Sequence, residues 1–507
     1  MRWHHLMMHD QLRDFGREIV RQENQREPQK RSRLWNTKEA ADVIYNNKGT
    51  SKIEALCLDK DDGRESYTVE NFKQLTNLRF LQLSGVNITG DFHNFLPQLR
   101  WLEWDNCCLD FEEANFHPKK LIVLDLGDSQ ISEDWGGWGP VKMAMELKVL
   151  FLSNCALRTT PDLSAFNSLK TLCLYDCQDL EEIHPSIEDI KTLVTLTIEK
   201  CHKLKELTLG VGRMKELKEL IIGDTHIREI PISRGCLIKL KTLDASYCRQ
   251  LARLPESLGS LISLTQLNLS NTGIKELPES IGSLKKLKTL NASYCASLAH
   301  IPNSIGDLTS LSHLNLIKCQ KIAQLPDSIG FLVYLLCLLL SGCHSLRQIP
   351  DSIGKLTSLI ELDLKSTAIE ELPESIGSLK ELKTLDASYC KSLAHIPNSI
   401  GNLTSLSHLD LNECQKLAQL PESIGSLVYL QWLSLSGCHS LRQIPDSIGK
   451  LTSLIELHLK STAIEELPES IGSLKELKIL DASYCKSLAH IPNSIGNLTS
   501  LSHLDLE

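Results

Sequence analysis

The chain of 507 residues is poor in aromatic side chains, at 5%, and has no excess of positive charge. Its 54 Lys and Arg face 63 Asp and Glu, a formal charge of −9. Binding a nucleic-acid backbone requires a concentrated basic face, so no nucleic-acid partner is expected. No apolar run approaches the ~18 residues of a membrane-spanning helix, so no membrane partner is expected either. The opening MRWHHLMMHD turns polar within ten residues and lacks the apolar core of a secretory leader. The expected location is the cytoplasm or the nucleus, where the 17 cysteines need a reason other than disulfides. No Gly-x-x-x-x-Gly-Lys-Ser/Thr phosphate loop is present, and the nearest strings, at Gly354 and Gly449, are repeat positions. No nucleophile–base pair or carboxylate pair stands out. The chain reads as non-enzymatic, with no small-molecule substrate, metal or cofactor of its own. Hydrophobic residues at 42% and charged residues at 23% are those of a folded protein.

What the chain has in abundance is repetition. From Pro231 to Pro492, twelve prolines recur at intervals of 23 or 24 residues. Most sit in a unit of the form L-x-x-L-x-[LA]-x-x-[CT]-x-x-L-x-x-[IL]-P-x-S-[IL]-G-x-L, and the others in close variants of it. This is the leucine-rich repeat pattern. The L-x-L core alternates with period two, as a short strand with one buried face does. A single coil cannot bury its leucines, so stability comes from stacking coils into one parallel sheet. Pro and Gly on the return path exclude a long helix there. Starting leucines run from Leu78 to Leu501, eighteen full coils and one cut short, with an opening strand at Ile53–Leu58. The expected fold is an α/β repeat solenoid: a leucine-rich repeat horseshoe with a parallel concave sheet over 51–507, preceded by a short helical segment over 1–50. A second period lies above the first, because ELPESIGSLK recurs at Glu276, Glu371 and Glu466, 95 residues apart.

Twelve of the seventeen cysteines occupy the ninth position of a coil, from Cys107 to Cys485, and Thr225, Thr272, Thr367 and Thr462 fill the same slot elsewhere. Cys and Thr share small size and a donor hydrogen, which predicts an internal ladder of donors to backbone carbonyls. Disulfides would not accept Thr, and a metal would need clustered ligands. His313, His408 and His503 recur four coils apart, roughly 19 Å, too far to share a metal.

Within the strand, positions 3, 5, 7 and 8, counted from the first leucine, point away from the core or lie just past it. They carry no expected packing duty and are free to recognise a partner. Position 5 forms a polar to acidic stripe that includes Asp363, Asp386, Asp410 and His458. Trp432 stands at position 3 and Tyr389 and Tyr484 at position 8, while Glu361 and Glu456 add charge. These nine residues are the candidate partner-binding set, with Trp432, Tyr389 and Tyr484 as anchors. The acidity argues for a basic or polar partner. Aligning 262–356 with 357–451 gives 21 differences, ten of them among the 16 inner-face positions. Between 357–412 and 452–507 only three differ, Asp363/His458, Thr384/Ile479 and Asn412/Glu507, all on that face. Drift at exposed sites would touch the outer face equally.

Residues 10–23 place Leu12, Phe15, Ile19 and Val20 on one side of a helix that Asp10 could cap, and Asn36 with Glu39 opens a second. Met8-His9-Asp10 followed by QLRDFGREIVRQE, then RSRLW (31–35) and NKGTSKIEALCLD (47–59), resembles plant intracellular nucleotide-binding leucine-rich repeat disease-resistance proteins. The likeness is to the class with a Toll/interleukin-1-receptor-like domain. It implies that residues 1–50 are the tail of a nucleotide-binding module and that the chain is a C-terminal fragment. His9 and Asp10 match the motif whose His approaches bound ADP in that family. With no phosphate loop, no ADP or ATP binding is expected here. The resemblance also implies a protein partner: a pathogen effector, a guarded host protein or the receptor's own switch module. A cytosolic signalling scaffold of the Ras-group type, a ubiquitin-ligase adaptor and an ectodomain are the alternatives. The first has no use for MHD-QLRDFGREIV, the second needs an F-box-like segment, and the third needs a secretory leader.

Overall fold

A computed structural model of the chain describes residues 10–60 and 66–507. It divides into two compact units, Met1–His226 and Ile227–Glu507.

The first unit opens with two helices, α1 (Asp10–Glu23) and α2 (Thr37–Tyr45). Val20 of α1 is buried, but Phe15 and Ile19 are 65% and 50% exposed, so part of the apolar side expected for this helix meets solvent. The Oδ1 of Asn36 accepts from the Glu39 amide at 3.1 Å and caps α2 as the sequence predicts. The helix ends where Asn47 turns left-handed at φ 53° and Lys48 donates back to the Val43 carbonyl. Between the helices, Arg33–Leu34 pairs in parallel with Ala55–Leu56. The ladder then runs through Phe80–Ser84, Trp101–Asp105, Val123–Gly127, Val149–Ser153, Thr171–Tyr175 and Thr195–Glu199 to Glu219–Ile221. Leu56, Leu81, Leu102, Leu124 and Leu150 face one another along it, and each is 0% exposed.

The second unit is twelve strands of three residues each, from Thr242–Asp244 to His503–Asp505, all parallel and in register. Positions 3 to 5 form the strand: the central leucine is buried and its two neighbours stand on the opposite face. Every central leucine from Leu243 to Leu480 is at most 1% exposed. After each Pro the return path makes one 3-10 turn, such as Glu279–Ser283 behind Pro278. The glycine of that turn is required by close approach. A Cβ on Gly425 would lie 2.4 Å from the Ser447 carbonyl oxygen of the next coil.

The ninth-position ladder is present. Cys319 and Cys343 donate their thiols to the carbonyls of Ala292 and Leu316, in the preceding coil, at 3.0 and 3.2 Å. Thr367 instead donates to Leu364 in its own coil at 2.8 Å. Both types satisfy carbonyls freed where the chain leaves the strand. Burial pushes the thiols of Cys390 and Cys343 up, to about 11 and about 12, which keeps these two protonated.

Candidate functional site

Seven of the nine candidate partner-binding residues lie in the second unit, on five consecutive strands: Glu361–Asp363, Thr384–Asp386, His408–Asp410, Trp432–Ser434 and Glu456–His458. Pairing register aligns Asp363 with Asp386 and Asp386 with Asp410. Adjacent strands are ~4.8 Å apart, so three carboxylates stand in a row on one face.

That row is not free of structural work, contrary to the reading of position 5 as spare. The Oδ1 atoms of Asp363, Asp386 and Asp410 each accept a backbone amide two residues on, from Lys365, Ser388 and Asn412, at 3.0, 2.8 and 2.9 Å. They hold the turn that ends the strand, as side chains of this type do elsewhere. Asn268, Asn291 and Asn315, one block earlier, make the same bond with a neutral side chain. The difference between the blocks at these three positions is therefore charge alone. Burial, then the carboxylates of Asp386 and Glu361, push Asp363 up to about 6, against the pull of the Lys365 amide and ammonium. Burial also raises Asp410.

Next to this row is an aromatic centre. Trp432 is half-buried, with His408 stacked on one side at 6.5 Å between ring centroids and His458 on the other at 5.8 Å. The His458 Nε2 lies 3.1 Å from the Glu456 Oε2. Glu456 shares the position-3 row with Trp432 and His408. The sequence marked His408 only as a periodic residue. Its role became visible once register placed it beside Trp432.

Tyr389 and Tyr484 do not join this centre. They stand at the turn past the strand end, two coils to either side of Trp432, 42% and 63% exposed. Both have left-handed backbones, with φ of 60° and 58°. So do Asn271, Ser366 and Glu413 at the equivalent position of other coils. The amide of this residue donates sideways to the next coil, Tyr389 to the Asn412 carbonyl at 2.6 Å. That ladder fixes the conformation even where the side chain disfavours it. Lys365 lies 5.4 Å from the Tyr389 ring centroid and Lys460 5.1 Å from that of Tyr484. The recurrence of Asn, Asp and Gly at this position in other coils was the sequence signal for the turn.

Of the nucleotide motif, His9 lies outside the described residues and Asp10 is the first residue of α1. Among the described residues no group of three or more His, Cys, Asp or Glu could hold a metal ion. Among them, too, no helix is long and apolar enough to cross a membrane.

The family model described as "Leucine-rich repeat region" matches 235–326, 324–420 and 408–507, together more than half of the chain. The chain belongs to the leucine-rich repeat family. Among curated relatives, this leucine-rich repeat protein is 30% identical over 255 residues to TMV resistance protein N of Nicotiana glutinosa, covering 46% of this chain and 22% of that one. It is 29% identical over 261 residues to disease resistance protein RPP2A of Arabidopsis thaliana, covering 46% and 20%. The chain thus spans about a fifth of the length of the curated relatives it matches. Among solved structures, a leucine-rich repeat protein of Leptospira interrogans aligns with a TM-score of 0.59 at 22% identity, over 88% of this chain and 99% of that one. The functional domain of InlJ from Listeria monocytogenes, which includes a cysteine ladder, aligns with a TM-score of 0.51 at 22% identity, over 71% and 72%. At that identity the likeness speaks for the fold alone. The leucine-rich repeats are related to those of plant disease-resistance proteins.

Proposed function

We propose that the chain is the recognition part of a plant innate immune receptor of the Toll/interleukin-1-receptor-like class. In this reading residues 1–50 are the end of a nucleotide-binding module, and the protein works in the cytoplasm or nucleus. It binds a protein, whether effector, guarded host protein or the receptor's own switch module, through the open face of the sheet. The observation that carries the reading is the concentration of differences between near-identical blocks on that face. Ten of 16 inner positions differ between 262–356 and 357–451, while the rest of the coil is largely kept. Trp432 between two imidazoles supplies a compact aromatic anchor, and the carboxylates beside it favour a partner with basic groups. A partner that binds the resting and active receptor unequally shifts their populations by that difference in affinity and no more. The test is cross-linked capture from plant extract, with partners identified by mass spectrometry. Trp432→Ala combined with Tyr389→Ala should abolish capture of the specific partner while the circular-dichroism melt stays that of the parent. Undiminished capture would remove these anchors from the account.

A further inference from the structure

A second surface lies in the first unit. A cleft of about 680 Å³ opens between α1 and the start of α2. Its cations are Arg17, Arg21, Arg31, Arg33 and Lys38, against only Glu18 and Glu39, in a chain whose net charge is −9. Both carboxylates are engaged. Glu39 pairs with Arg31 at 2.5 Å, and Glu18 lies 4.0 Å from Arg21. Arg31 is 5% exposed and also donates to the Asn24 carbonyl, so it is part of the wall. Arg33 and Lys38 are exposed on the rim and among the described residues neither makes an ion pair, though Arg33 also acts electrostatically on Glu23, which does not line the cleft. The first turn of α2 lines the same cleft and adds the positive end of its dipole.

Trp35 lines the cleft and continues it onto the sheet. Its ring meets Phe80 edge-on at 5.7 Å, and Phe80 meets Trp101 at 5.4 Å. Phe80 and Trp101 begin adjacent strands in register, and all three rings are half-buried. A cationic cleft therefore runs directly into an aromatic strip. We propose that this surface docks an acidic protein segment, with its carboxylates at Arg33 and Lys38 and an adjoining apolar side chain over Phe80 and Trp101. The cleft's excess of cations makes the anionic part complementary, and the strip selects a segment with apolar character over a bare anion.

The test uses the full chain and a fluorescein-labelled probe peptide of six glutamates followed by Leu-Phe-Leu, read by anisotropy. The expected result is saturable binding that weakens as salt rises. Arg33→Glu with Lys38→Glu should weaken it about tenfold or more, since rim charges of the wrong sign repel the probe. A probe with Gly-Ser-Gly in place of Leu-Phe-Leu should bind several-fold more weakly, a comparison that leaves the protein unaltered. Trp432→Ala should change nothing, which separates this surface from the proposed recognition face. Absence of saturable binding overturns the proposal. So does equal binding of the two probes, or full displacement by millimolar inorganic pyrophosphate, because either result marks a bare anion site.

Discussion

Asp363→Asn should make the protein more stable at neutral pH. The Asp363 carboxyl is raised from 3.8 to about 6, first by burial and then by Asp386 and Glu361. A carboxyl raised in the folded state holds its proton more tightly there than in the unfolded chain. The contribution of Asp363 to stability is therefore most favourable below about pH 4, falls as pH rises through the window from about 4 to 6, and stays reduced above it. At ~1.36 kcal/mol per pH unit the whole shift would correspond to about 3 kcal/mol. The side chain is only partly buried, and solvent screening brings a realistic figure to about 1 kcal/mol. Asn removes the charge but keeps the oxygen that receives the Lys365 amide, as Asn268 does for Ser270. The urea midpoint of Asp363→Asn should thus rise at pH 7.5, by an amount equivalent to about 1 kcal/mol, and the gain should disappear near pH 4. Asp363→Ala separates the two roles. It relieves the same repulsion but strands an amide, a loss of about 1 kcal/mol, so it should show little or no gain. A gain for Asn that persists at pH 4, or none at pH 7.5, would show that the charge at this position is not under strain.

The other expectations follow from the same contacts. Gly425→Ala should cost about 2 kcal/mol or more, because its Cβ would press on the Ser447 carbonyl, whereas Gly496→Ala, with no atom within 4 Å of its Cβ, should melt like the parent. Cys343 and Cys390, buried and pushed up to about 12 and about 11, should stay unreactive to a disulfide reagent at pH 8 until the chain unfolds, while exposed Cys108 reacts at once. Cys319→Thr should keep most of the stability and Cys319→Val should lose about 1 kcal/mol in urea unfolding, since only valine lacks a donor hydrogen. The triple variant Asp363→Asn, Asp386→Asn, Asp410→Asn should fold, melt higher than the parent, and lose capture of a basic partner in a pull-down.

The repeat was legible because its cause is local and recurs. Leucines at positions 1, 4 and 6 can be buried together only if the backbone alternates, and the Pro-x-Ser-Ile-Gly stretch permits only a short turn on the way back. The donor ladder was legible for the same reason, since Thr at Thr272 and Thr367 showed what property of Cys mattered at that slot. Side chains whose role depends on the next coil were not. The left-handed turn at Tyr389 is set by the Asn412 carbonyl of the next coil, and only the Asn, Asp and Gly at that position of other coils hint at it. The bond from the Ser388 amide to the Asp386 Oδ1 is local, and it went unread because recognition was the role expected of position 5. The association of Trp432 with His408 and His458 spans three coils and becomes visible only with register. The aromatic strip from Trp35 to Trp101 went unread because it joins the helical head to two strands far away in sequence.

These hidden bonds sharpen the case for the acidic stripe. A residue that holds a turn needs one acceptor oxygen, and Asn268, Asn291 and Asn315 show that a neutral amide suffices in this very fold. Asp363, Asp386 and Asp410 supply the same oxygen and add three negative charges on adjacent strands, where like charges repel. The raised carboxyls of Asp363 and Asp410 record first the cost of partial burial and then that opposition. Folding thus gains nothing from the charge that the amide would not provide, and is weakened by it near neutral pH. What the charge does add is a negative field over the open face beside Trp432, which fits the proposed capture of a partner with basic groups.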